Sequence, residues 1–176
     1  MGILPGWRWD ELVGVVSVVT DLGADRVVET ATVGREGVPG QALTMSAEAL
    51  RRHLTDVDSA LTSMLRRSAS ALFTQLSRNA ACNRVHTVRQ RAARWLLMTA
   101  DRMDNPSFEL TQHFLAQMLA VRRTSVSELA QSLAEDGCIT YSRGVITIVD
   151  RPRLQSHACS CYEVIRRATD TVLAAH

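Results

Sequence analysis

The sequence contains no lysine, and all 20 of its basic residues are arginine. The planar guanidinium group suits contacts with phosphate and guanine, but a codon-usage bias produces the same composition, and we favour the bias as the explanation. The formal net charge of +2 is an equally weak argument for nucleic acid. A chain of 176 residues with 46% hydrophobic residues can nevertheless support one or two small folded domains.

Cysteine is scarce, and the four cysteines are too scattered for the disulfide framework of a small secreted protein. His157, Cys159 and Cys161 form an H-x-C-x-C segment. This spacing lacks the paired C-x₂₋₄-C or H-x₃₋₅-H arrangement of zinc sites. On the helix that we expect there, residues two apart point in different directions. We therefore predict no metal site and no cofactor.

The sequence also lacks the signatures of membrane proteins, exported proteins and common enzymes. Its apolar run Leu12–Val19 is far shorter than the roughly 20 residues of a membrane-spanning helix, and no signal peptide is evident. No glycine-rich phosphate loop, credible pair of acids or nucleophile motif is present. We therefore expect a cytoplasmic protein that is not an enzyme.

The segment Leu110–Leu133 has the pattern of two short helices around a tight turn. Apolar residues recur at helical spacing in each half, at Phe114, Leu115, Met118 and Leu119 and then at Val126, Leu129, Ala130 and Leu133. Ala120 occupies the turn. Polar side chains crowd the start of the second helix, where a helix that reads a DNA groove carries its contacts: Arg122, Arg123, Thr124, Ser125 and Ser127.

The elements around this segment complete the pattern of a winged helix. A helix over Val85–Met103 precedes it and ends at an Asp-Asn-Pro sequence. Gly137 predicts the end of the second motif helix. Strand-forming residues then flank the compact loop 142–144, over Ile139–Tyr141 and Val145–Val149. Residues 154–175 are typical of a terminal helix.

The first 45 residues favour β-structure, and Ser46–His53 indicates a short helix. Strands are predicted over Val13–Val19 and Val27–Val33, with a short third strand over Gln41–Met45. Three strands without a covering layer make a poor independent core.

A leucine-rich helix follows, opened by a capping box at Thr55–Asp58 and closed by a polar break at Asn79–Arg84. Its leucines fit a helix packed within its own domain or a coiled coil between two chains, and the repeat comprises Leu54, Leu61, Leu65, Leu72 and Leu76. We favour dimerisation, because the β segment is too small to cover that stripe.

These motifs resemble the family of the cyclic-AMP receptor protein and the fumarate–nitrate reductase regulator, which are bacterial transcription factors. The resemblance is strongest across Val85–Asp150, through VRQRAARWLL, LTQHFLAQMLAVRRTSVSELAQSL and GCITYSRGVITI. It implies an α+β, mainly α fold with a partial β-roll sensor, a long dimerisation helix and a C-terminal winged helix-turn-helix. The corresponding domains would be 1–53, 54–81 and 82–176.

The resemblance also implies which residues contact double-stranded DNA. Arg123 and Thr124 match base-reading positions, and Arg122, Ser125 and Ser127 match neighbouring base or phosphate contacts. Thr111, Gln112, His113 and Arg143 match contacts with the phosphate backbone. A homodimer would place two recognition helices on a near-palindromic site, with RNA polymerase left open as a further partner.

Three features depart from the family pattern. Ala120 stands where the family often has glycine, and Thr124 stands where it often has an acidic residue, so the preferred half-site sequence cannot be transferred. Ser125-x-x-Glu128 additionally offers a capping box, which would start the recognition helix later. The β segment has only about half the length of a family β-roll, and Arg35 alone does not establish a phosphate-binding turn, so we expect no effector to be bound. The alternative function is a shortened regulator that pairs with a full-length relative without sensing an effector.

Overall fold

The computed structural model describes residues 7–12, 15–21, 27–33, 48, 51–52, 55 and 59–174. Its first part is an antiparallel sheet of three strands in the order β1 (Trp7–Leu12), β2 (Val15–Asp21) and β3 (Val27–Val33). The predicted bounds of β3 are confirmed, whereas β2 begins two residues later than predicted and β1 was not predicted. The third strand predicted over Gln41–Met45 lies outside the described residues.

The long helix α1 spans Ala60–Val85 and begins later than the sequence predicts. Ser59 is its N-cap, and the Ser59 hydroxyl accepts a hydrogen bond from the amide of Thr62 at 3.1 Å. The Thr55 hydroxyl instead donates to the carbonyl of Arg52 at 2.6 Å. The expectation that Thr55 opens the long helix is therefore wrong, because its hydroxyl is engaged in the preceding turn.

The predicted polar break at Asn79–Arg84 is also wrong, because α1 continues through it to Val85. Its amide side chains accept hydrogen bonds from arginines of the next helix, α2 (Val88–Met103). The pairs are Arg102 with Gln75 at 3.2 Å, Arg94 with Asn79 at 2.6 Å and Arg91 with Asn83 at 2.7 Å. We call these contacts the amide–guanidinium ladder; it gives polar residues inside a helix the partners they need.

The actual break between α1 and α2 falls at His86 and Thr87. Thr87 caps α2 in a capping box with Gln90, whose side chain accepts from the Thr87 amide at 3.0 Å. From Arg91 to Ala100 every residue of α2 is buried, so this helix forms the centre of the molecule.

The winged helix surrounds α2. Its helices are α3 (Gln112–Leu119) and α4 (Arg123–Glu135), and its strands are β4 (Ser107–Glu109), β5 (Ile139–Ser142) and β6 (Val145–Ile148). The strands form an antiparallel sheet in the order β4-β6-β5. The short strand β4 was not predicted. The core contains Trp95, Leu96, Val126, Leu133, Ile139, Ile146 and Tyr162.

The predicted terminal helix is divided in two, α5 (Arg151–His157) and α6 (Cys161–Leu173), and α6 packs along α1. The chain leaves helical geometry at Ala158, with φ −77° and ψ 152°, and buries Cys159 between the two helices. None of the helices in the described ranges has the length and apolar character needed to cross a membrane.

Candidate nucleic-acid interface

Helix α3 is held in place by a cap and by a buried apolar face. Thr111 is the N-cap, and its hydroxyl accepts from the amide of Phe114 at 3.1 Å, as predicted. Leu115, Met118 and Leu119 are buried. The rings of Phe114 and of Trp95 on α2 pack in a T-shaped arrangement at a centroid distance of 6.3 Å. These contacts fix α3 on the central helix.

The turn between α3 and α4 is left-handed at Ala120, where φ is 53° and ψ is 47°. Its amide donates to the carbonyls of Ala116 and Gln117. Alanine in this conformation costs about 1–2 kcal/mol relative to ordinary helical geometry. The surrounding packing therefore imposes the turn despite the absence of glycine.

Helix α4 begins at Arg123, with Arg122 as an extended N-cap residue whose side chain makes no capping bond. The alternative start at Ser125 is therefore wrong, since Ser125 lies within the first turn. The predicted inner face is confirmed by the burial of Val126, Leu129, Ala130 and Leu133. Because this face is buried, the polar side chains at the start of α4 lie on the opposite side of the helix, towards solvent.

The outer edge of α4 carries cations that have no partner among the residues that the structure describes. Arg122, Arg123 and Thr124 are exposed. Neither guanidinium group makes a hydrogen bond or ion pair with any residue in the described ranges. Arg89 and Arg151, by contrast, are paired with Asp136 and Asp101. The start of α4 is thus a positively charged helix end available to an anionic ligand.

Of the remaining polar side chains of the motif, some are exposed to solvent and others make hydrogen bonds within the protein. Ser127 donates from its hydroxyl to Gln112 Oε1 at 2.8 Å and to the carbonyl of Arg123 at 3.3 Å. His113 is exposed, and Ser125 and Gln112 are half-buried. Ser127 and Gln112 therefore join α4 to α3 as well as lying at the edge of the motif.

The wing is a two-residue hairpin turn formed by Arg143 and Gly144. Their φ angles of 51° and 81° are the positive pair of a type I′ turn. Ser142 belongs to β5 and pairs with Val145, so the loop is shorter than predicted. The amide of Leu110 donates to the carbonyl of Gly144 at 2.7 Å, which places the exposed Arg143 next to the start of α3.

Arg89 is a residue that sequence reasoning did not identify, and it fixes the far end of α4. Its guanidinium donates to Ser132 and forms an ion pair with Asp136. Arg153 adds a hydrogen bond to the carbonyl of Asp136 at 2.8 Å. No local pattern connects these residues, because they are distant in the sequence and meet only in the folded chain.

The H-x-C-x-C segment does not lie along one helix, so that expectation is wrong. His157 ends α5 and lies 3.5 Å from Asp136, whereas Cys159 and Cys161 meet Cys82 and His86 at the end of α1. A hydrogen bond with Cys82 lowers the pKa of the Cys159 thiol to about 5. The same hydrogen bond, followed by burial, raises the pKa of Cys82.

The predicted leucine repeat lies on a face of α1 that is incompletely covered. Leu65 is 37% exposed and Leu72 is 40% exposed, and the adjacent Phe73 is 72% exposed. Leu61 and Leu76 are half-buried. Leu54 lies outside the described residues. The described part of α1 therefore presents large apolar side chains to solvent.

Comparisons with known proteins agree with this architecture. Residues 90–157 match the Crp-like helix-turn-helix domain family. No match was found among curated protein sequences.

Solved structures with a similar fold include three bacterial proteins. FixK2 from Bradyrhizobium japonicum is 16% identical with a TM-score of 0.66, over 88% of this chain and 87% of FixK2. A regulator of the crp/fnr family from Eubacterium rectale is 16% identical with a TM-score of 0.60, over 81% and 76% of the two chains. A CRP-family regulator from Thermus thermophilus is 23% identical with a TM-score of 0.54, over 86% of each chain. The chain therefore contains a Crp-like helix-turn-helix domain and has the fold of the Crp/Fnr family of transcription regulators.

Proposed function

We propose that this protein is a sequence-specific DNA-binding transcription regulator that inserts α4 into the major groove. The observation that carries the proposal is the set of exposed guanidinium groups of Arg122, Arg123 and Arg143 on a winged helix. Their lack of partners within the described residues leaves their donors available to phosphate and base edges. The Crp-like domain supplies the frame that positions them.

The proposed contacts fall into two classes. Arg123 and Thr124, in the first turn of α4, read base edges, because arginine can donate two hydrogen bonds to guanine O6 and N7. Arg122 and Ser125 contact bases or phosphates close to them. Arg143 on the wing contacts phosphate, which positions the protein without reading sequence.

The start of α3 supplies the other phosphate contacts in this proposal. Thr111 and His113 are exposed there. Gln112 accepts from Ser127 through Oε1, so its amide NH₂ remains as the donor for a phosphate oxygen. Ser127 therefore acts mainly by positioning Gln112, and its own contact with DNA is secondary.

We further propose that α1 forms a homodimer through its leucine face. Leu65 and Leu72 are seven residues apart and both exposed, and Phe73 extends the apolar surface beside them. Two copies joined there would present two α4 helices to half-sites about one DNA turn apart. The DNA site would then be a near-palindrome.

Selection of DNA from a random pool by the full chain tests the specificity, at a stated salt concentration because phosphate contacts are salt-dependent. The expected product is an enriched near-palindrome. The Arg123→Ala variant should lose discrimination at one position of each half-site. Arg167→Ala, which removes an exposed arginine of α6, serves as the matched control. An unenriched pool would contradict specific binding by this chain and would favour a role that requires a full-length relative.

Sedimentation of the chain with a charge placed on α1 tests the dimer. Leu72→Asp should give a monomer, because an unpaired carboxylate would have to be buried at the interface. Ser70→Asp introduces the same charge at an exposed position of the same helix and should leave the dimer intact. Equal sedimentation of the two variants would contradict the proposed interface.

A further inference from the structure

Four side chains with metal-binding atoms meet at the junction between α1 and α6. Cys82 and His86 stand one helical turn apart at the end of α1. Cys159 lies in the connection between α5 and α6, and Cys161 is the first residue of α6. Their sulfur and ring-nitrogen atoms all lie within 4.8 Å of one another. We call this group the junction cluster.

The junction cluster is compact enough to surround one small ion, because no two of its ligand atoms are more than 4.8 Å apart. Cys82 Sγ lies 3.5 Å from Cys159 Sγ and 3.3 Å from His86 Nδ1. A tetrahedral zinc ion with Zn–S near 2.3 Å and Zn–N near 2.0 Å separates neighbouring ligand atoms by roughly 3.5–3.8 Å. An iron–sulfur cluster would hold its ligands further apart, because several metal and sulfide atoms lie between them.

Burial makes the junction cluster a closed site. Cys82 is fully buried, Cys159 and Cys161 are nearly so, and His86 is half-buried at the rim. Three thiolates and a neutral imidazole around Zn²⁺ would satisfy every coordination position and leave no place for a substrate. This arrangement is that of a structural zinc site.

The charge around the junction cluster agrees with a thiolate site. Arg94 is buried beside it, and its positive charge favours a negatively charged group at this place. Within the described residues, Arg94 donates to Asn79 and to the sulfur of Met98 but pairs with no carboxylate. Zn²⁺ with three thiolates carries one net negative charge, which would compensate this buried cation.

We propose that Cys82, His86, Cys159 and Cys161 bind one Zn²⁺ ion that joins the end of α1 to the start of α6. The ion would displace the remaining thiol protons and coordinate through His86 Nδ1. Because Cys82 and Cys161 flank the matched winged-helix segment 90–157, the site would close that domain against the long helix. The proposal is independent of DNA binding.

The metal content of the unsubstituted chain tests the site directly. Protein purified without a polyhistidine tag, under reducing conditions, should contain about one zinc per chain. Exchange with Co²⁺ should give thiolate-to-cobalt charge-transfer absorption and the intense visible bands of tetrahedral cobalt. Chelation should lower the Tm, because the folded site binds the ion and the unfolded chain does not.

Matched variants locate the ligands. Cys159→Ser and His86→Ala should bind zinc at least tenfold more weakly than the unsubstituted chain. Cys138→Ser and His157→Ala change a buried cysteine and a histidine outside the cluster, and they should retain the metal. If a ligand variant does not fold, the metal analysis and the cobalt spectrum of the unsubstituted chain still test whether the junction cluster binds zinc.

Three outcomes would overturn the proposal. The first is unsubstituted protein with little zinc and no tetrahedral cobalt spectrum. The second is iron with inorganic sulfide in place of zinc. The third is protein with a Cys82–Cys159 disulfide that, after reduction of this bond, binds neither zinc nor cobalt.

Discussion

The arginines buried between α1 and α2 differ from those at the outer edge of the winged helix. Arg91, Arg94 and Arg102 are buried and donate to the amide–guanidinium ladder. Arg122 and Arg123 are exposed and have no partner within the described residues. The same side chain therefore serves as an internal connector in one region and as an available cation in the other. Burial and partners distinguish these roles, whereas the arginine count does not.

The first prediction concerns the buried arginine with the shortest ladder contact. Arg94→Met should lower the free energy of unfolding by about 2–3 kcal/mol, because it removes a charged hydrogen bond to Asn79 at a buried position. Chemical denaturation measures the effect. Arg167→Ala, at an exposed position, should change stability by less than about 0.5 kcal/mol. Similar losses of unfolding free energy in both variants would contradict the distinction between buried and exposed arginines.

The second prediction concerns an exposed arginine at the start of α4, for which we expect an effect on DNA binding and not on stability. Arg123→Ala should leave the free energy of unfolding within about 0.5 kcal/mol of the original. It should reduce discrimination at one base position by about 1–3 kcal/mol, because a bidentate contact to guanine is lost. Competition binding against single-base variants of the selected site measures this. A uniform loss across all sequences would instead assign Arg123 to phosphate.

The third prediction separates the wing from the recognition helix. Arg143→Ala should weaken binding to every DNA sequence alike and reduce the slope of log affinity against log salt by about one unit. The cause is the loss of one phosphate contact. Titrations at several salt concentrations measure the slope. An altered base preference with an unchanged slope would contradict the assigned role.

The smallest predicted effect concerns the turn between α3 and α4, which precedes the exposed arginines. Ala120→Gly should stabilise the fold by about 0.5 kcal/mol, because relief of left-handed strain exceeds the added entropy of the unfolded chain. Thermal unfolding measures the gain, and the DNA preference should not change. Destabilisation would mean that the Ala120 methyl group contributes packing that outweighs the strain.

The sequence predicts the winged helix well because its signals are local. The apolar period fixes the inner faces of α3 and α4, and Thr111 and Gly137 mark helix ends whose geometry the structure confirms. The strand β4 was missed because three residues give too short a pattern. Arg143 was identified within the loop, but only the structure shows its type I′ turn.

Errors concentrate where distant residues decide local structure. From the sequence, Asn79 is typical of a helix break, but in the folded chain its side chain accepts a hydrogen bond from Arg94 and the helix continues. Cys159 and Cys161 form no recognised spacing motif, because Cys82 and His86 belong to a helix far away in the sequence. Neither relationship could be predicted from neighbouring residues alone.

The most direct test of the central claim compares the affinity of the full chain for its selected site with that for a scrambled duplex, at one near-physiological salt concentration. The proposed interface predicts at least about a thousandfold preference for the selected site. Equal affinity for both duplexes would contradict sequence reading by α4, because the exposed arginines would then contribute only non-specific attraction to phosphate.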